Sequence, residues 1–198
     1  MLKLENYAVI FMLTSLLGAL AISSPVLAFF LPSQTNEKFS EFYILGSNHM
    51  AEDYPYDIKA GQNYMIYLGI SNNIGSSAYY AIYVKLRNQT ESLPNSTDSI
   101  PSSLPDIYEY RALLVDREVW EIPFNFSFSG ISYYNNQCII KNFIINKVLL
   151  YENKTINYEP NNNGYFLEIF FELWMYDVGL KNFSYNNKYV GIWLKLEG

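Results

Sequence analysis

Residues 119–129 read VWEIPFNFSFS, and Trp120, Ile122, Phe124, Phe126 and Phe128 occupy every second position. A period of two is the signature of a strand with one buried face, because successive side chains point to opposite sides. A helix would scatter these five side chains around its axis. Asn125 falls on the other parity and should face water. Pro123 shares that parity; it has no N–H to give a ladder, so it predicts an edge strand or a bulge.

The same period extends in both directions. Phe39 to Leu45 (FSEFYIL) reads as a first strand, followed by a turn-rich connection, GSNHMAEDYPYDIKAGQ, with Asp53 and Pro55 as breakers. Tyr64, Ile66, Leu68 and Ile70 alternate along a second strand that ends in an Asn-Asn-Ile-Gly turn at 72–75. Tyr80, Ile82, Val84 and Leu86 form the inner face of the next, with Tyr79, Tyr83, Lys85 and Arg87 opposite. Strand character resumes at Tyr108 to Val115, and again over Cys138 to Tyr151 as one or two strands bent near Asn146 and Lys147. Tyr165 to Asp177 (YFLEIFFELWMYD) places Glu168 and Glu172 on one face under either period. Its alternation of Leu167, Ile169, Phe171, Leu173 and Met175, rich in aromatics, favours a strand. Tyr189 to Leu196 is the last strand. Between the third and fourth, residues 88–105 (NQTESLPNSTDSIPSSLP) are polar and rich in Ser and Pro. Such a segment buries too little to offset its ordering entropy, and a mobile surface loop is expected. The pattern predicts an all-β domain over 39–198, an immunoglobulin-like β-sandwich of about seven to nine strands.

Ahead of it, residues 7–31 (YAVIFMLTSLLGALAISSPVLAFFL) contain no charge over twenty-five positions. As a helix they would extend about 37 Å, enough for a hydrocarbon core of roughly 30 Å. The expected organisation is a short cytoplasmic N-terminus at 1–6, a single transmembrane signal-anchor at 7–31 and a stalk at 32–38. Lys3 precedes the apolar run and no base follows it until Lys38, so the domain should lie outside the cell membrane. Val26 and Ala28 also suit a signal peptidase, and cleavage is the alternative to a retained anchor.

Composition excludes some partners. The 198-residue chain carries a formal charge of −6, and Lys3 and Glu5 cancel, so the exported part carries all of it. Nucleic acid, which needs a basic patch, is not expected. Charged residues make up 16% of the chain against 18% aromatic, so polarity comes from Tyr, Asn and Ser rather than from ions. An AT-rich genome or an acidic exterior would each produce this bias. The one cysteine, Cys138, sits in an apolar run, cannot form an intramolecular disulfide, and reads as a small buried hydrophobe.

Five N-x-S/T sequons stand at Asn88, Asn95, Asn125, Asn153 and Asn182, candidate glycan acceptors on an exported chain. The single histidine, His49, lacks further His or Cys at metal-ligand spacing. Glu52, Asp53 and Asp57 cluster in one loop but lack the spacing of a calcium loop. Glu109, Glu121, Glu168 and Glu172 supply carboxylates for a glycosidase pair, yet outward positions on separate strands explain them more simply. No catalytic residue, metal site or cofactor is therefore assigned. The outward aromatics Tyr79 and Tyr83 on one face, and Trp174, Tyr176, Tyr189 and Trp193 on another, are candidate partner-binding residues, unless loops fold over them.

Several segments carry a resemblance: FSEFYILG at 39–46, AEDYP at 51–55, AGQNYMIYLG at 60–69, Trp120 before an aromatic strand, and FFELW at 170–174. On these residues the chain resembles an archaeal family catalogued as domain of unknown function 1616. The resemblance implies membrane helices before a β-rich extracytoplasmic domain and an archaeal setting. It implies no activity and no functional residues. The reading is a membrane-anchored, non-enzymatic module at the cell surface, interacting with envelope proteins or glycans. Two alternatives are a carbohydrate-active or peptidase-like surface enzyme, and a subunit of a filament or lattice assembled by edge-strand addition.

Overall fold

The computed structural model describes the backbone of residues 4–30 and 38–197, and the side chains of 7–20 and 38–197. The chain divides into two compact units, Met1–Glu37 and Lys38–Gly198. The first holds one helix, α1 (Leu4–Phe30). Among the described residues, no helix is long and apolar enough to cross a membrane. Val26, Ala28 and residues 32–37, on which the cleavage and stalk expectations rest, lie outside the described side chains.

The second unit is β throughout. Its strands are β1 (Phe39–Leu45), β2 (Asp57–Ile58), β3 (Tyr64–Asn73), β4 (Ala78–Arg87), β5 (Tyr108–Leu114), β6 (Val119–Tyr134), β7 (Gln137–Ile145), β8 (Val148–Glu159), β9 (Gly164–Asp177) and β10 (Asn182–Leu196). They form one ten-stranded curled sheet in the order β1-β3-β6-β7-β8-β9-β10-β2, with β4 and β5 branching from β9. Strand β9 holds β10 on one edge; on the other it holds β4 over 168–175 and the end of β8 at 164–165. The count is ten against the seven to nine expected. The additional strand, β2, pairs in parallel with the end of β10 inside what the sequence presents as a turn-rich connection. A two-residue strand leaves no period to read.

The curl brings two halves of the sheet face to face. Ile66, Leu68, Ile70, Phe124, Phe126 and Phe128 line one half, and Ile82, Val84, Leu167, Ile169, Phe171 and Leu194 line the other; all are buried. Phe124 meets Phe171 edge-on across the core at 4.9 Å. Phe126 contacts Phe124, Phe128 and Phe143, with centroids at 5.6, 6.0 and 6.4 Å. The alternation in β6 therefore points as expected, with Asn125 exposed. Strand β6 is not an edge strand. It pairs with β3 over 119–126, and with β7 only from Phe126 onward, so at Pro123 one side is open and the missing N–H costs nothing.

Asparagine closes the turns. The β6–β7 hairpin turns on Asn135 and Asn136 (φ 48° and 58°), and β7–β8 on Asn146 and Lys147 (φ 47° and 71°). Two left-handed residues in sequence give the twist that a tight hairpin needs, and Asn tolerates that region better than most residues. One close approach depends on glycine: a Cβ on Gly69 would lie 2.1 Å from the ring of Tyr43, which crosses the strand there.

Candidate functional site

Pairing in β4, β9 and β10 fixes what shares the outer face of the second half. Tyr83 lies beside Glu172 and Glu172 beside Tyr189; Arg87 lies beside Glu168 and Glu168 beside Trp193. The two glutamates face outward as expected, yet they are buried, at 0% exposure for Glu172 and 6% for Glu168. Loop 88–107 lies over them. Lys85 Nζ sits 3.1 Å from Glu172 and 3.3 Å from Asp106, and donates to the carbonyl of Ser102 at 2.8 Å. Glu172 also accepts from the Ser102 amide at 2.7 Å and the Trp174 indole at 3.1 Å. Arg87 pairs with Glu168, donates to the Glu91 carbonyl at 2.6 Å and lies 4.8 Å from the Trp193 ring. Glu91 in turn takes Lys154 at 2.5 Å. The loop expected to be loose on the surface is thus tied to the sheet at Glu91, Ser102 and Asp106, with Pro94 and Ser102 buried.

This arrangement binds the carboxylates rather than offering them. A glycosidase acid and base need lone pairs aimed at a cleft. Glu168 and Glu172 spend theirs on two bases, an amide and an indole. Glu109 pairs with Arg111, and Glu121 with His49. His49, with φ +57°, stacks on Tyr67 at 3.8 Å. Burial and the neighbouring Glu121 and Glu41 carboxylates raise the pKa of Tyr43 on the same side. Among the described residues no group of three or more His, Cys, Asp or Glu is placed to hold a metal ion. Cys138 is fully buried, and burial pushes its thiol up to about 11.

The candidate aromatics share one face instead of two. Tyr79 contacts Tyr176 at 6.3 Å and Phe183 at 5.1 Å, and Tyr83 meets Trp174 edge-on at 5.4 Å. Tyr79, Tyr83, Trp174, Tyr176 and Tyr189 are half-buried, and Trp193 is the most exposed of the six, at 37%. Of the sequons, Asn95, Asn125, Asn153 and Asn182 are exposed. Asn88 is half-buried, and its side chain accepts from Thr90 and donates to the Thr155 carbonyl at 3.3 Å.

Trp193 leads to a feature the sequence did not reveal. Phe42, Ile44, Tyr54, Tyr56, Val190 and Trp193 line a groove of about 600 Å³ between β1 and β10. No ladder joins these strands: β1 pairs only with β3, and β10 pairs with β9 and, at its end, β2. Backbone groups on the groove side are identifiable from bonds at its margins. Ile44 accepts from the Tyr54 hydroxyl at 2.9 Å, so Phe42, two residues earlier, presents its N–H and C=O on the same side. The Lys195 amide donates to the Tyr56 carbonyl at 2.7 Å, so Gly191 and Trp193 also face this side. Two strand edges thus flank an aromatic-lined channel. Only the sparing use of charge in YPY and VGIW signals it in sequence.

The pattern of a family described as "Domain of unknown function (DUF1616)" matches residues 32–167. No curated protein matches the chain. Among solved structures, the chain is similar at a TM-score of 0.39 and 11% identity to one from the complex of zinc 2-glycoprotein and prolactin inducible protein from human seminal plasma, covering 84% of this chain and 100% of that one. It is similar at 0.36 and 12% to a β-glucosidase from Listeria innocua, with 81% of this chain and 16% of that one covered. It is similar at 0.32 and 7% to a PapD-like domain of human CEP192, with 85% and 90% covered.

Proposed function

We propose, from the premise that this chain belongs to the family of domain of unknown function 1616, that it is a membrane-anchored interaction module of an archaeal cell surface. It is non-enzymatic and holds its β-domain, an immunoglobulin-like sandwich, outside the cell. The observation that carries this reading is the groove between β1 and β10. An extended segment of a partner would add as a strand between two edges that no ladder joins, with Tyr54, Tyr56 and Trp193 gripping its side chains. Aromatic side chains supply contact area at low entropic cost. The occupant is an extended segment of an envelope protein; a second copy of this chain, giving a filament or lattice, is the other source of such a segment. The uncharged run at 7–31 supports the anchor, and the exposed sequons support an exterior location.

Cross-linking in native membranes tests the binding role. Trp193→Ala and Tyr56→Ala should each reduce the captured partner strongly, while Tyr151→Ala, on an exposed side chain outside the groove, should not. Equal capture by all three would refute the groove. A screen that found robust hydrolysis by the domain would refute the non-enzymatic reading. Protease added to intact cells should remove residues 39–198 and leave the anchor in the membrane; a mature protein starting at Phe29 would show cleavage instead.

A further inference from the structure

Among the described residues, Lys85 is the lysine held between two carboxylates. Its Nζ lies 3.1 Å from Glu172 Oε2 and 3.3 Å from Asp106 Oδ1, and the side-chain exposures of Lys85, Glu172 and Asp106 are 4%, 0% and 48%. Strand pairing explains the meeting. The β4–β9 register sets Tyr83 beside Glu172 and Lys85 beside Phe170, so Lys85 and Glu172 are diagonal neighbours on the outer face. The Ile107 amide donates to the Val84 carbonyl at 2.9 Å, which holds the preceding residue, Asp106, against the same stretch of β4. The long loop thus leaves the sheet just after Lys85 and returns to it at Asp106.

The two acids are not equivalent. Glu172 is fully buried and fixed by the Ser102 amide at 2.7 Å and the Trp174 indole at 3.1 Å. A carboxylate held still beside Nζ is placed to take a proton and give it back. Asp106 meets Nζ with one oxygen and is half-exposed, so a departing water has a way out. Its Cγ lies one C–O bond beyond Oδ1, hence at most about 4.5 Å from Nζ. A small rotation of the Asp106 side chain brings the two atoms to the roughly 3–3.5 Å of a near-attack pair.

We propose that Lys85 and Asp106 condense after folding into an isopeptide bond, with Glu172 as the proton carrier. The Lys85 ammonium passes one proton to the Asp106 oxygen that it faces, which leaves a neutral amine and an uncharged acid. The amine attacks Cγ, and the Nζ–Cγ bond forms. Glu172 takes a second proton from Nζ and returns it to the hydroxyl on Cγ, whose C–O bond breaks to release water. An ammonium and a carboxylate thus become an amide and one water, Glu172 ends as it began, and no co-reactant is consumed. Because the step removes both charges, the cost of keeping an ion pair out of water drives it forward. The bond closes a covalent ring across residues 86–105, in a chain whose single cysteine rules out an intramolecular disulfide. It restricts the unfolded chain as a disulfide does and keeps the Ser- and Pro-rich loop over Arg87 and Glu168. Each molecule reacts once, so the domain remains without turnover.

Trypsin reads the bond directly. It cuts after Lys59, Arg87 and Arg111, so Lys85 and Asp106 fall on separate peptides, 60–87 and 88–111. The full chain, made by cell-free synthesis in detergent, folded, then denatured and digested, should yield these two peptides as one species. That species should be lighter than their sum by one water, with fragment ions placing the link on Lys85 and Asp106. Asp106→Ala, at a half-exposed side chain, should fold and leave the peptides separate. Glu172→Gln keeps the shape but cannot carry the proton, so in samples drawn from the onset of synthesis the species should form at least about a hundredfold more slowly. Separate peptides from the folded parent overturn the proposal. A link between 60–87 and 155–181 puts the bond on Glu172 and overturns the choice of Asp106. A folded Glu172→Gln chain that joins as fast as the parent overturns the proton carrier.

Discussion

The ammonium of Lys85 and the carboxylate of Glu172 lie 3.1 Å apart on the outer face of the sheet, with side-chain exposures of 4% and 0%. Their strands are brought together by β4–β9 pairing, and the pair is roofed by Ser102 and Asp106 of the long loop. Outward-pointing charge has become interior charge.

Breaking this pair from one side should be costly. Glu172→Ala leaves the buried Lys85 ammonium with only the half-exposed Asp106 carboxylate, 3.3 Å away, as its counter-charge, and about 3 kcal/mol of stability should be lost. The double variant Lys85→Met with Glu172→Leu removes both charges and should cost less than Glu172→Ala alone. Urea unfolding followed by tryptophan emission measures both. A double variant as unstable as the single would show that shape, not charge, is at stake.

The glutamates also show where sequence reading stopped. The strands were legible because burial on one face writes a period of two, as in Trp120 to Phe128 or Leu167 to Leu173. The partners of Glu168 and Glu172 were not, because Arg87 and Lys85 are far off in sequence and meet them only through strand order. Loop 88–105 has the composition of a free loop; it is held by a few polar bonds to residues from other strands, which composition does not encode. The groove depends on two strands, β1 and β10, not pairing, and no local pattern records that. The abundance of asparagine does have a local meaning. Six Asn residues take positive φ among the described residues, and most of them close turns.

Glu152 gives a pH dependence whose sign is fixed. Burial raises its pKa above 4.5, with Lys154 opposing in part. A carboxyl whose folded pKa exceeds its unfolded one binds more protons when folded, so stability falls as pH rises through the window above 4.5. Glu152→Gln should therefore be more stable than the parent at neutral pH and match it more closely at pH 4. Urea midpoints at the two pH values would reveal the opposite trend if the carboxylate were stabilised by Lys154 instead.

Cys138 should behave as a reporter of unfolding. Its thiol is fully buried and pushed up to about 11, so thiolate is scarce at neutral pH and reagent access is blocked. A disulfide-exchange reagent should label it completely in denaturant and negligibly in the native protein. Fast native labelling would mean that β7, which carries it, opens locally.

The sharpest contrast lies between neighbours on β6. Phe126 is 1% exposed and packed among Phe124, Phe128 and Phe143, so Phe126→Ala removes a ring from the centre of the core. The loss should be about 3–5 kcal/mol, a large share of the stability of a single domain. Asn125 points to water; its side-chain amide makes a 3.4 Å contact to Asn146, while its backbone amide makes the 3.0 Å bond to the same oxygen. Asn125→Gln keeps the backbone bond, so its cost should stay within about 0.5 kcal/mol, as for other surface substitutions, and any glycan at that position should disappear. Chemical unfolding of the two variants compares adjacent residues on opposite faces. Similar losses from both would contradict the alternation that orients β6, and with it the packing of Phe124 against Phe171.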